Sequence, residues 1–479
     1  MSKDAPEGYN KAVELVAKKM SPRAKRLAAL ERWVAGEQYE GMADWFADVP
    51  ISEKAPCVVE PLVADSIESH VDMVLGEGRF PDFTTRPDED DDDGADEGGL
   101  SGDASEAVDK LIRSVAEQAR LKAVCRESLS MAMGCGTACT IFGARNGKLF
   151  GDTVKARWGT PEFDINRAVT KLTIEYPYVD TYEENGVWKA RARIFRRVID
   201  DKSDTTFLPA DADLPKPVWT PDPNQTFTHG LGFCPVVWYP FFRGCSIVGD
   251  IDGNAPHANL LDEIRAHDVS NSQWHRAALY AGDPQWTEIG VEPGTNPSAA
   301  GRIGKTLVTA TGGAVSKDNP VIGTVLDATH GEGAVSGAQG ARKKHPGTVW
   351  QFENKDAKVE LHQLSGDALD AISKNGHDIR LKIMQALAYV PLDPEVANIV
   401  RGSLSGKALE SLRERQLNRD DKIRDDFGDG FMKPSLNVLL RICATKADGL
   451  RLRGLKKAKG ALAQLNGAEP TKVTTDAVG

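Results

Sequence analysis

What this chain lacks closes off several classes of protein. No apolar run approaches the roughly 18 residues needed to cross a bilayer, and the longest, Phe233 to Phe242, is interrupted by two prolines. The opening residues MSKDAPEGYN hold no apolar stretch of the kind a secretory signal requires, so nothing there marks export. Cysteine is scarce. Its seven copies are an odd number scattered singly, apart from Cys135 and Cys139, which predicts free thiols and a reducing compartment rather than a disulfide framework. Positive charge is in deficit: 59 Lys and Arg stand against 70 Asp and Glu, a net charge of -11. That balance argues against a protein whose main task is to grip nucleic acid tightly, though not against one that lets DNA pass.

Chemical motifs are sparse too. There is no Cys-x-x-Cys and no His-Glu-x-x-His, and His267 and His275 lie about two helical turns apart, too far for one zinc ion without further ligands. Cys135 and Cys139 could share a helical face, but buried single thiols are the simpler outcome. The Ser-rich turn Gly402 to Gly406 is not a Gly-x-Ser-x-Gly elbow. The acidic block Asp88 to Glu97 reads as a solvated loop; aligned as a calcium loop on Gly94, it places Leu100 where a bidentate Glu belongs. Residues Ala299 to Thr306 (AAGRIGKT) nearly match a phosphate-binding loop, with Lys305 and Thr306 in the phosphate and magnesium positions. They begin with Ala instead of Gly, follow Pro293 and Pro297, and lead into LVTATG, which is strand or loop sequence and not the helix such a loop must open. No catalytic residue, cofactor or metal is therefore expected, with a nucleotide-dependent enzyme using Lys305 as the alternative.

What is present is a globular composition, 41% hydrophobic and 27% charged, on a chain of 479 residues, enough for two to four domains. Helical spacing runs over residues 11 to 47, from Pro61 to Leu75, and from Ser105 to Met133. Strand character follows at Thr140 to Phe142, Val169 to Tyr176 and Trp188 to Val198, with Asn185-Gly186 as a hairpin turn. Asp204 to Thr228, rich in Pro, Asp and Thr, reads as a loop, and Pro235 to Phe242 as a short buried strand. A helix is expected from Asn254 through Leu279, and another from Asp367 to Leu387, flanking a Gly-, Thr- and Ser-rich module. Ser403 to Arg441 then forms a loop feeding a long helix whose middle is almost all charged. Gly428, Gly430 and Pro434 predict a kink or break in it. The bases Arg451, Arg453, Lys456 and Lys457 alternate with leucines near the C-terminus, as in an amphipathic surface helix.

The succession of these parts resembles the portal protein of tailed bacteriophages. The most specific stretch is Val359 to Leu412, where VELHQLSGDALDAI, a helix to Tyr389-Val390-Pro391, and GSLSGKALESL follow in that family's order. The resemblance implies an α+β, mainly helical, ring-forming portal fold. Residues 1–253 would be the wing, with an acidic loop at 88–103; 254–281 and 365–390 the stem helices; 282–364 the clip; 391–404 the tunnel loop; 405–441 the long wing helix; and 442–479 the crown and tail. It further implies a dodecameric ring at one capsid vertex of the virion, assembled in the host cytoplasm. Double-stranded DNA would pass through its channel, and the large terminase, head-tail connector proteins and the major capsid protein would be its partners, with no membrane. Glu395, Asn398, Arg401 and Ser403 would then lie at the channel, Arg342, Lys343 and Lys344 would face clip partners, and the C-terminal bases would sit in the crown. For Arg401 a salt bridge to Glu395 is the alternative. Another ring-forming head-tail adaptor also fits the pattern.

Overall fold

The computed structural model describes residues 6–81, 83, 102–242, 251–282, 285–289, 358–362, 366–390, 406–446, 450 and 452. The chain divides into two compact units, one made of Met1–Asp268 with His377–Gly479, the other of Val269–Gly376.

The first unit opens with two helices where a single one was expected. Helix α1 (Tyr9–Lys19) ends at Met20, and α2 (Pro22–Ala35) begins afresh with Pro22 in its first turn and the Ser21 hydroxyl accepting from the Ala24 N–H. Helix α3 (Leu62–Leu75) follows a long connection. The predicted helix at Ser105 to Met133 is likewise two, α4 (Gly102–Gln118) and α5 (Leu121–Cys135). Arg120 between them takes a left-handed φ of 53°, which turns the chain.

Strands β1 (Thr137–Arg145), β2 (Lys148–Val154) and β8 (Val236–Pro240) form an antiparallel sheet in the order β2-β1-β8. Strands β3 (Gly159–Phe163), β4 (Val169–Glu184), β5 (Val187–Ile199), β6 (Ser203–Asp211) and β7 (Pro221–Thr228) form a second, five-stranded meander. Asn185 and Gly186, both at positive φ, close the β4–β5 hairpin in the manner of a type I′ turn.

These two sheets overturn the expectation of a mainly helical portal fold. The error has a specific source. Asp204 to Thr228, read as a loop for its Pro, Asp and Thr, supplies most of β6, which pairs with β5 and β7, and all of β7, the edge strand, where prolines and acids are tolerated because one side needs no ladder partner.

Strand β8 and the first part of β1 are buried on both faces, which is why β8 shows no polar alternation. Ala138 and Phe142 of β1, with Val237 and Tyr239 of β8, face the main core built from α3, α4, α5 and the C-terminal helices. Cys139 and Ile141, with Val236 and Trp238, face the other way onto Leu172, Ile174 and Ile199 of the five-stranded sheet. Helix α1 covers the outer part of that sheet, setting Ala12, Leu15 and Val16 against Val179, Ala190, Ala192 and Ile194.

One charged hub ties α2 to both sheets. Arg23 grips the buried Asp252 with two bonds of 2.7 Å, donates to the carbonyls of Gly159 and Ala156, and lies over the Trp238 ring. Thr137 also donates to Asp252. Gly136, at φ 86°, permits this approach, since a Cβ there would meet the Gly253 carbonyl oxygen at 2.5 Å.

Helix α6 (Leu261–Gly282) starts later than the Asn254 cap predicted, after a turn at residues 256–259. In the second unit β9 (Gln285–Ile289) pairs antiparallel with β10 (Lys358–His362), and the Ser270 hydroxyl donates to the carbonyl of Ile372 on helix α7 (Gly366–Leu387).

Back in the first unit, helix α8 (Gly406–Phe427) does not break at its glycines. It passes through a π-turn, Gly428–Met432, into α9 (Lys433–Thr445), whose second residue is Pro434; proline has no N–H to give the preceding turn, and the π-turn falls directly ahead of it. The π-turn brings Phe427 and Phe431 into a stack with centroids 4.9 Å apart, and Tyr239 meets Phe427 edge-on. Among the described residues no helix is long and apolar enough to cross a membrane.

Candidate functional site

The residues singled out in the sequence for channel, clip and crown all fall outside the described residues. This holds for Glu395, Asn398, Arg401 and Ser403; for Arg342, Lys343 and Lys344; for Arg451, Arg453, Lys456 and Lys457; and for the segment 299–306. The described residues do include the two shoulders of the 391–405 segment, where α7 ends and α8 begins, and there a buried polar cluster stands out.

Its members come from three helices. His70 of α3 donates from Nε2 to the Leu387 carbonyl at 3.0 Å, and its Nδ1 lies 2.5 Å from Asp420 Oδ1 of α8. A carbonyl only accepts, so Nε2 carries a hydrogen and the Nδ1 contact holds one proton between ring and carboxylate. Gln416, one turn before Asp420, accepts from the Val390 N–H at 3.2 Å and donates to the Ser69 hydroxyl at 3.1 Å. Arg419 adds a bond to the Ala386 carbonyl at 3.1 Å, and burial lowers its pKa.

The last turn of α7 is therefore satisfied largely by side chains of α3 and α8. A helix C-terminus leaves four carbonyls without partners, and here Ala386 and Leu387 find theirs in Arg419 and His70. Ala388 takes the left-handed conformation, φ 50°, that usually falls to glycine just past a helix, and the Tyr389 N–H returns to the Met384 carbonyl. Burial, first, and the nearby Asp65 push the Tyr389 phenol up to about 12. The arrangement is a rigid clamp: the chain leaves α7 at Val390 held by the same α8 face that carries Gln416 and Asp420.

The sequence concealed this clamp because α8 looks solvated, with charge throughout its middle. Gln416 and Asp420 are nonetheless buried, whereas the apolar Leu417 is exposed. The readable signal was spacing. Gln416, Asp420, Ile423 and Phe427 fall on one helical face, with two polar residues continuing a stripe that is otherwise apolar.

A second polar cluster joins α6 to Glu60, just ahead of α3, and to Tyr39. Glu60 accepts from His267 Nε2 at 2.7 Å and is paired with Arg380. Burial raises the Glu60 pKa, but the hydrogen bond from His267 and the charge of Arg380 outweigh it, so the carboxyl sits below its ordinary value. Asp268 accepts from the Tyr39 hydroxyl at 2.8 Å and from the Glu60 N–H at 3.2 Å, yet burial prevails and pushes its carboxyl up to about 6. The same burial, with Asp268 alongside, drives the Tyr39 phenol upward. Beside this cluster a cavity of about 290 Å³ is lined by Trp33, Val34, Gln38, Val59 and Glu60, among others.

His267, considered above for zinc, is thus occupied by Glu60. Among the described residues no group of three or more His, Cys, Asp or Glu side chains is placed to hold a metal ion. Cys135 ends α5 and Cys139 lies in β1, so the two do not share a helical face; both are free, buried thiols, and burial pushes Cys135 up to about 12. No protein-family model matches the chain, and no curated protein sequence matches it.

Proposed function

We propose that this chain is the subunit of a ring-forming, non-enzymatic portal at one capsid vertex of a tailed phage, a conduit through which DNA enters during packaging and leaves at ejection. The observation that carries the reading is the clamp at the entry to residues 391–405. The Leu387 carbonyl and the Val390 N–H on one side are bound by His70 and Gln416, and Gln416 belongs to the helix that begins at Gly406 on the other side. The chain that enters this segment is thus fixed at Val390 to the helix that follows it, a firm mount for a segment that touches a passing duplex. The reading rests on this clamp and on the order of the parts in sequence, not on a mainly helical fold.

The charge supports the same reading. A passage for duplex DNA works best when it is hydrated and mostly electronegative, because strong phosphate contacts would make each advance climb out of a bound state. A net charge of -11 suits that requirement. Within residues 392–404 Arg401 is the single base, a transient phosphate contact in place of a grip. The partners are further copies of this chain, in a ring of twelve, with double-stranded DNA, the large terminase, head-tail connector proteins and the major capsid protein.

Negative-stain imaging of the purified chain tests the proposal. Rings with a central channel are expected. A monomer or compact dimer under all conditions overturns it, and ATP binding abolished by Lys305→Ala would favour the nucleotide-dependent alternative.

A further inference from the structure

We propose that copies of this chain meet head to tail through the two ends of α2, the acidic loop that follows the helix in one subunit against the basic corner at its start in the next. The inference rests on the ring reading and supplies its contact, because two different patches on one subunit make the kind of interface that closes into a ring by rotation.

Charge is segregated along this part of the chain. Residues 15–30 carry five bases, Lys18, Lys19, Arg23, Lys25 and Arg26, and no acid; residues 36–53 carry five acids, Glu37, Glu40, Asp44, Asp48 and Glu53, and no base. Helix α2 separates the two groups, and its 14 residues span about 21 Å. Bases in the first turn of a helix and acids just past its last turn reverse the order that the helix dipole favours, so the pattern does not serve α2 itself.

At the start of α2 the bases outnumber their partners. Arg23 and Arg26 share Asp252. Lys155 and Arg157, brought alongside by the bond from Arg23 to the Ala156 carbonyl, share Glu31. Among the described residues Lys18 and Lys25 pair with no acid, and Lys19 donates to the Leu214 carbonyl at 3.5 Å. Lys216 adds a further exposed base, and the exposed acids alongside, Glu14 and Asp213, leave the corner positive.

The far end is the reverse. The Ala43 N–H donates to the Glu53 carbonyl and the Ala55 N–H to the Ala43 carbonyl, which closes residues 43–55 into a compact loop with Trp45 buried beneath it. Glu37, Asp48 and Glu53 are exposed and pair with no base among the described residues. The two arginines beside the loop are engaged by its backbone: Arg32 donates to the carbonyls of Glu37 and Glu40 and lies 3.6 Å from the Glu40 carboxylate, and Arg265 donates to the carbonyl of Ser52. Lys54 is buried.

Each patch also offers apolar side chains. Phe46 and Ile51 stand 58% and 51% exposed on the closed loop, and Leu214 and Val218 stand 44% and 77% exposed in the segment that Lys19 binds. Apolar side chains among charges that are acidic on one patch and basic on the other suit a contact in which burial supplies affinity and the opposite fields set orientation.

Carbodiimide coupling, which joins a carboxylate to a lysine amine only where the two touch, tests the contact in the full chain, using a mixture of ¹⁵N-labelled and unlabelled protein so that links between copies are told apart by mass. Links between copies from residues 37–53 to Lys18, Lys19 or Lys25 are expected. Rings without such links overturn the contact and leave the ring reading standing; a chain that never associates overturns both. Charge reversal is a second measurement. Lys18→Glu with Lys19→Glu and Lys25→Glu, and separately Glu37→Lys with Glu40→Lys and Asp48→Lys, should each raise the protein concentration needed for assembly by about tenfold or more while leaving the circular dichroism spectrum unchanged. Mixed in equal amounts, the two variants set acid against base at every contact, and assembly should return to near the wild-type concentration. Unaltered assembly in either variant, or no recovery in the mixture, overturns the proposal.

Discussion

His70 Nδ1 and Asp420 Oδ1 lie 2.5 Å apart across 350 positions of sequence, with their side chains only 1% and 2% exposed. Removing one partner strands the other in a place where water cannot reach it. His70→Ala is therefore expected to cost about 3–5 kcal/mol, read as a lower urea midpoint. The double replacement His70→Leu with Asp420→Leu removes both desolvation penalties together and should cost distinctly less than the single change. A double-variant loss equal to the sum of the two single-variant losses would mean that the pair is not energetically coupled.

The neighbourhood of Asp268 predicts a pH dependence with a definite sign. Its carboxyl is raised to about 6 from an ordinary 3.8, so the folded state disfavours the charged form. That penalty is fully present above pH 6 and is relieved as pH falls from 6 towards 4. Glu60, held below its ordinary 4.5, acts oppositely: its contribution is present above that value and is lost as pH falls further. Stability of the wild type should thus rise between pH 7 and 5 relative to Asp268→Asn, by up to about 1.4 kcal/mol per pH unit from this one group. Urea unfolding of both proteins across pH 4 to 8 checks the difference, and parallel curves would remove Asp268 as its source.

Two glycines in the π-turn should behave in opposite ways. A Cβ on Gly430 would sit 2.8 Å from Tyr239 Cε2, while one on Gly428 would meet nothing within 4 Å. Gly430→Ala should destabilise by about 1–3 kcal/mol through overpacking. Gly428→Ala should be neutral or stabilise by up to about 1 kcal/mol, the ordinary gain from replacing a helical glycine. Thermal unfolding of the two variants separates the cases.

Asp252 receives Arg23, Arg26 and Thr137 in one buried site. Asp252→Ala should cost about 3–5 kcal/mol, because Arg23 is left partly buried without its counter-charge. Arg26, whose side chain is 57% exposed, should cost less than about 1 kcal/mol when replaced by Ala. Denaturant midpoints of the two variants give the contrast.

For the proposed channel, Arg401→Ala should leave rings intact in negative stain and alter DNA packaging. Packaging at the wild-type level in that variant would count against a role for Arg401 at the DNA.

Much of the helical part was legible because its signals are local. The apolar spacing of Leu62 to Leu75 and the Asn185-Gly186 turn each act over a few residues and appear close to where they were expected, whereas the fresh helix start at Ser21-Pro22, an equally local signal, was passed over in the longer helical spacing of residues 11 to 47. The clamp was not legible. Gln416 and Asp420 stand in a run of charges, set apart only by a spacing that continues the face of Ile423 and Phe427, and that spacing does not say what would meet them. Their burial follows from Ser69, His70 and Val390 arriving from distant parts of the chain.

By itself the sequence determined the charge balance, the free thiols, the absence of a long apolar run and the order of the main helices, all of which depend on composition or on spacing over a few residues. Only the tertiary structure decided that Asp204 to Thr228 forms strands, that α8 passes through its glycines without breaking, and that a histidine near the start of the chain clamps a helix near its end. An edge strand is stabilised by the neighbour it pairs with, a π-turn by the aromatic ring it accommodates, and a buried carboxylate by the base that meets it. Each of those partners lies far away in sequence.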